Sequence, residues 1–135
     1  MIRLIYGPKG TGKTQQIVND ANNAVANAKG NIVFVTDKKF DTVRLDFNVK
    51  VIYTENFDIH CAACFSGFLK GLLAGNSDIE YLFLDGLVRV VGDDNKALEQ
   101  VFDTIKTLEK EYGFTCEISV SKTKETLPEV MKELA

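Results

Sequence analysis

The sequence predicts an α/β fold, a mostly parallel sheet held between helices in three layers. Three observations point there. Short apolar runs alternate with stretches of helical periodicity along the 135 residues. The run Asn31-Ile32-Val33-Phe34-Val35-Thr36 is continuously apolar, which suits a parallel strand covered on both faces. The first run, Ile2–Tyr6, passes directly into Gly7-Pro8-Lys9-Gly10-Thr11-Gly12-Lys13-Thr14, and Ile17, Val18, Ala21, Ala24, Val25 and Ala28 follow at helical spacing.

The octet reads G-x-x-x-x-G-K-T, the phosphate-binding P-loop pattern, between a strand and a helix. A phosphate chain needs many donors and close backbone approach. Gly7, Gly10 and Gly12 supply the turn and leave room for successive backbone N–H groups to point inward. The helix start adds its positive end. Lys13 brings a mobile cation to the β- and γ-phosphates, and the Thr14 hydroxyl can complete a Mg²⁺ shell. A nucleoside triphosphate with Mg²⁺ is therefore the expected ligand, and a P-loop NTPase fold the expected frame.

The elements follow in order. The first helix is expected from about Gly12 to Ala28, with Gly30 as its cap. The strand 31–36 ends in Asp37. Residues 37–48 are polar, with Val43, Leu45 and Phe47 alternating as a short edge strand. Val49–Thr54 is a stronger strand. Asp58 is placed to cap a helix from Ile59 to about Ala74, with Gly75 as its stop. Phe65, Phe68, Leu69, Leu72 and Leu73 leave that helix little polar face, so it is either deeply buried, beneath segment 37–48, or covered by a second copy in a homodimer. Ile79–Asp85 is a strand ending in an acid. Gly86 to Asn95 reads as a loop. A helix capped by Asp94 or Asn95 follows, with Ala97, Leu98, Val101, Ile105, Leu108 and Tyr112 inward and Gly113 at its end. Phe114, Cys116, Ile118 and Val120 alternate as a strand. Thr126 and Glu129 form a T-x-x-E capping-box pattern before a last helix. No repeat or linker divides the chain, so residues 1–135 are expected to form a single nucleotide-binding domain.

Composition narrows the partners. Apolar residues make up 45% and charged residues 26%, ordinary for a globular chain. No apolar stretch is long enough to cross a bilayer and no signal peptide opens the chain. An odd cysteine count, three, then suggests a reducing cytoplasm. Net charge is −3, with no basic run beyond Lys38-Lys39, so no nucleic-acid-binding patch is visible.

Tyr81-Leu82-Phe83-Leu84-Asp85 looks like a Walker B strand, an apolar run ending in one carboxylate. Beside a P-loop, Asp85 can hold Mg²⁺ directly or through water, so Thr14 and Asp85 are the metal candidates. Two strands lie between the P-loop helix and this strand, and a last strand follows a helix, an order similar to RecA-like ATPases. Over nearly its whole length the chain resembles a family of small bacterial ATP-binding proteins. The carrying stretches are Ile5–Thr14, Ile32–Val35 and Tyr81-Leu82-Phe83-Leu84-Asp85-Gly86-Leu87, with Phe68, Gly71, Leu72 and Leu73. Members are often labelled twitching-motility ATPases of the PilT kind. The resemblance implies ATP binding and little more.

The catalytic equipment of RecA-like ATPases is incomplete. Such enzymes polarise water with a Glu; here Gly86 follows Asp85, and Asp37 and Glu55 are the only candidates at neighbouring strand ends, both more readily solvated acids. Slow hydrolysis, or hydrolysis activated by a protein partner, is expected, and the chain reads as an ATP-dependent regulator or weak ATPase. A small-molecule or nucleotide kinase is the alternative. Kinases clamp phosphates with several arginines, whereas Arg3, Arg44 and Arg89 lie scattered in this sequence. A GTPase reading lacks its N-K-x-D and D-x-x-G signals. Arg89 reads as a loop cation rather than an arginine finger, Lys38, Lys39 and Arg44 as a solvated edge, and Ser119 and Ser121 as exposed hydroxyls. Cys61-Ala62-Ala63-Cys64 is a C-x-x-C without a second ligand pair for zinc, and its cysteines read as small buried residues of a packed helix.

Overall fold

The structure, a computed structural model, describes residues 1–37 and 44–135. Five strands, β1 (Ile2–Tyr6), β2 (Asn31–Thr36), β3 (Val49–Tyr53), β4 (Ile79–Leu84) and β5 (Thr115–Val120), form one all-parallel sheet in the order β1-β5-β4-β2-β3. Among the described helices, α1 (Lys13–Val25) is the one on the first face, where Leu45 packs as well. The helix packs its Ile17, Val18 and Ala21 on Ile5, Ile32, Phe34 and Phe83. On the other face α2 (Ala62–Gly75), the short α3 (Leu87–Val91) and α4 (Asn95–Tyr112) bury Phe65, Leu69, Leu73, Leu98, Val101 and Phe102 against Val33, Leu82, Leu84 and Ile118. A four-residue α5 (Glu129–Lys132) seals this layer with Met131. The result is the expected three-layer α/β arrangement. Among the described residues, no helix is long and apolar enough to cross a membrane.

Several boundaries moved, each for a local reason. Helix α1 ends at Val25, and Gly30 is not its cap. Gly30 instead lies against the Asp78 carbonyl, where any Cβ would collide, and its N–H donates to Glu80 Oε1 at 2.8 Å. The expected edge strand falls partly on residues 38–43, outside the described residues; residues 44–48 hold no strand. They form a turn pinned to α1, with Asn22 donating to the Arg44 carbonyl at 2.8 Å and accepting from the Asp46 N–H at 2.8 Å. Asp58 does not cap α2. Its φ of 54° ends a 3-10 turn over Thr54–Phe57, Ile59 then tucks into the core, and Cys61 takes the cap position three residues later than expected. Gly86–Asn95 contains α3, started by Gly86 at φ 75° and stopped by Gly92 at φ 93°. The Thr126–Glu129 capping box does not form. Pro128 disfavours helix at Leu127, so α5 starts after it, and Thr126 Oγ1 accepts from the Thr123 N–H at 3.0 Å instead.

Helix α2 is neither wholly buried nor capped by a broad apolar patch. Phe65, Leu69 and Leu73 face the core, Phe68 and Leu72 are half-buried, and the outward side carries Ala63, Cys64, Gly67, Lys70, Gly71 and Ala74. Cys61 and Cys64 are therefore exposed, not packed; only Cys116 is in the core, as expected.

Strand β5 is interior, between β1 and β4, and its polar side chains Glu117 and Ser119 are covered too. Glu117 is 4% exposed, sits in register between Arg3 and Phe83, and meets Asp20 from α1. Burial, then the hydrogen bond and charge of Asp20, raise the Glu117 carboxyl to about 8, with Arg3 pulling the other way. An acid protonated in the fold and ionised in the unfolded chain stabilises less as pH rises. Stability should therefore fall between about pH 5 and pH 8, on the order of a few kcal/mol, and level off above. Urea unfolding across pH should show this slope in the wild type, and Glu117→Gln, which mimics the protonated acid, should flatten it.

Candidate functional site

Parallel strands bring their carboxyl ends to one edge, and that edge gathers most of the residues singled out from sequence. The loop 7–14 leaves β1 with Gly7, Gly10 and Gly12 at φ 145°, 79° and 84°, a path closed to most side-chain-bearing residues. Gly12 is the left-handed residue from which α1 starts. The Gly7 N–H donates to the Lys122 carbonyl at 2.9 Å, tying the loop to the segment after β5. Thr11 Oγ1 donates to the Pro8 carbonyl at 2.8 Å, and Lys13 Nζ donates to the same carbonyl at 2.6 Å. Burial lowers the Lys13 pKa, the Asp85 carboxylate pulls it back up, and the Arg89 guanidinium adds to the lowering.

Thr14 and Asp85 meet across the edge. The Thr14 hydroxyl donates to Asp85 Oδ2 at 3.3 Å and lies 3.4 Å from Oδ1. Asp85 is 4% exposed, and Ser119 Oγ donates to its Oδ1 at 2.7 Å. The same Ser119 oxygen accepts from the Gly86 N–H at 2.8 Å. Ser119 is thus a buried bracket between β5 and β4, not an exposed hydroxyl. Ser121 is half-buried and lines the cavity.

The residue sequence reasoning undervalued is Arg89. Read as a loop cation, it stands on α3 inside the site. Its Nε and Nη2 donate to Asp37 Oδ2 and Oδ1, both at 3.1 Å, and Nη2 reaches Asp85 Oδ2 at 3.4 Å. Burial would raise the Asp37 carboxyl, but the hydrogen bond and charge of Arg89 hold it below the usual range. Burial likewise works against the Arg89 charge, and Asp37 and Asp85 outweigh it. The guanidinium lies over Gly86, where a Cβ would collide with it. No spacing rule flags such a bridge, because Arg89 stands on α3 while its two partners follow β2 and β4.

A cavity of about 400 Å³ opens at this edge, lined by Lys9, Lys13, Thr14, Arg44, Asp85 and Arg89 among others. Its described lining carries four cationic side chains and a single carboxylate, in a chain whose net charge is −3. Such a walled, positive recess concentrates anions. Arg44 is part of it rather than a remote edge, and its guanidinium meets the Gln15 side chain. Lys38 and Lys39 lie outside the described residues. Asp37 adjoins the cavity through Arg89 but does not line it, and Glu55 is exposed on the turn after β3, away from it.

No protein-family model matches the chain, and no curated protein matches it.

The Arg89 bridge should matter to stability. Arg89→Ala leaves two buried carboxylates short of their counter-charge and should cost about 2–4 kcal/mol. Adding Asp37→Asn should recover part of that loss in urea unfolding. Equal stability of Arg89→Ala and wild type would show that the bridge contributes nothing.

Proposed function

We propose that this chain binds a nucleoside triphosphate, ATP, with Mg²⁺, and acts as a slow or partner-activated ATPase that serves as a nucleotide-dependent regulator. The carrying observation is the meeting of the Thr14 hydroxyl and the Asp85 carboxylate at 3.3 Å in the same cavity as Lys13 and the glycine loop. The phosphate tail would lie along the loop amides and the α1 N-terminus, with Lys13 at its end. A hydroxyl and a carboxylate are the hard oxygen donors that Mg²⁺ takes, so Thr14 and Asp85 fit as its holders. When bound, Mg²⁺ offsets charge between the β- and γ-phosphates. The strand order β1-β5-β4-β2-β3, with β5 between the two motif-bearing strands, is compatible with the RecA-like reading and with the resemblance to small bacterial ATP-binding proteins.

Slow turnover follows from what surrounds the tail. Both Asp37 oxygens accept from Arg89, which leaves that carboxylate little capacity as a base. Glu55 is outside the cavity, and Asp85 is the only carboxylate among its described lining.

One observation favours the kinase reading as a second. Two of the three arginines, Arg44 and Arg89, line the cavity together, so they are not scattered in space. Paired arginines stabilise a phosphoryl group in transfer.

Calorimetric titration with ATP should give saturable binding that Mg²⁺ strengthens. Lys13→Ala should abolish the heat, and Asp85→Asn should keep binding while losing the Mg²⁺ enhancement. Phosphate release by the isolated protein should stay below about 1 per second. Absence of ATP binding to the wild type would overturn the reading; transfer of phosphate to an added acceptor would favour the kinase.

A further inference from the structure

The C-x-x-C segment is a chemistry-bearing group that the nucleotide site does not use. Cys61 is the N-cap of α2, with φ −140° and ψ 165°, and its Sγ accepts from the Cys64 N–H at 3.3 Å. The two Sγ atoms lie 2.9 Å apart. A disulfide needs about 2.05 Å, so closing the bond asks for less than ~1 Å of side-chain movement. Both thiols are exposed, whereas Cys116 is buried. Among the described residues no cluster of three or more His, Cys, Asp and Glu side chains could hold a metal, so a zinc site has no third ligand.

We infer that Cys61 and Cys64 form a reversible dithiol–disulfide site that reacts with small disulfides by thiol exchange. The inference does not depend on nucleotide binding. Cys61 is the attacking sulfur. Once Cys61 is a thiolate, the Cys64 thiol beside it and the Cys64 backbone N–H stabilise its charge, so Cys61 lies below the ordinary thiol range, while Cys64 is raised by the same contact. The positive end of α2 acts in the same sense.

The exchange balances in two steps. The Cys61 thiolate attacks one sulfur of R–S–S–R, forming Cys61–S–S–R and expelling RS⁻, which takes up the proton Cys61 gave to solvent. Cys64 then loses its proton, and its thiolate attacks Cys61 Sγ. The second RS⁻ leaves and is protonated. Two protein thiols are oxidised to one disulfide, and one R–S–S–R is reduced to two R–SH. Cys116 takes no part: burial raises its thiol far above the ordinary range.

The test is equilibration of the reduced protein with oxidised and reduced glutathione at graded ratios. Samples are quenched in acid, alkylated under denaturing conditions, and read by intact mass and peptide mapping. The expected product has lost two hydrogens, with a bond between Cys61 and Cys64 and Cys116 alkylated. Cys64→Ser should stop at one glutathionyl group on Cys61. Cys61→Ser should react at neutral pH roughly tenfold more slowly than Cys64→Ser. Stable glutathionyl groups on both wild-type cysteines, or both thiols left free when glutathione is largely oxidised, would overturn the inference. So would faster reaction at Cys64 alone than at Cys61 alone.

Discussion

A carboxylate taken out of water survives only with donors or a counter-charge around it, and Asp85 has both. Ser119 reaches it from β5, Thr14 from α1 and Arg89 from α3. The acid thus ties three elements to the end of β4. Its influence extends one step further. Ser119 also holds the Gly86 N–H, Gly86 takes the left-handed turn that starts α3, and α3 delivers Arg89 back over that glycine. A side chain at 86 would clash with the guanidinium and strain the turn together, so glycine there serves contact and conformation at once.

The second constraint is charge at adjacent strand ends. β2 and β4 are neighbours, and each runs out into an acid, Asp37 and Asp85. Side by side at low exposure they repel. One guanidinium, planar and forked, spans both, which an ammonium cannot do with the same geometry. Among the described lining residues Asp85 is then the one acid, beside the cations Lys9, Lys13, Arg44 and Arg89. An anionic ligand therefore meets a site whose acids are already matched.

Much of this was legible in the residues, and what was not has definite causes. The five strands and helices α1 and α4 are written in apolar periodicity. The loop 7–14 is legible because its glycines answer a local backbone need. Partnership across the sheet edge is not local. Arg89 gains its role from where β2 and β4 end. The alternation in 114–120 suggests a strand with one wet face, yet β5 is interior, and Glu117 and Ser119 are covered and must find Asp20 and Asp85. The start of α2 differs from the expected one because Asp58 is a good cap by type, while its left-handed backbone and the burial of Ile59 push the helix on to Cys61. That shift changes the cysteines from packing residues to exposed ones.

The two covers of the sheet differ in kind, and the difference bears on how firmly the site is held. Several helices share one face; on the other, among the described helices, α1 touches all five strands. Lys13 and Thr14 are its first two residues, and Ile17, Val18 and Ala21, the next turns, are its fully buried anchors. One turn of helix separates the ammonium and hydroxyl from the packing that positions them. Ala21 matters through its smallness: a larger side chain at a site already without exposure would lift α1 from the sheet and carry Thr14 away from Asp85. Asp20 lies beside that anchor and meets Glu117, whose carboxyl is raised to about 8 by burial and by Asp20. The placement of Lys13 and Thr14 thus rests on the packing of Ile17, Val18 and Ala21 against the sheet.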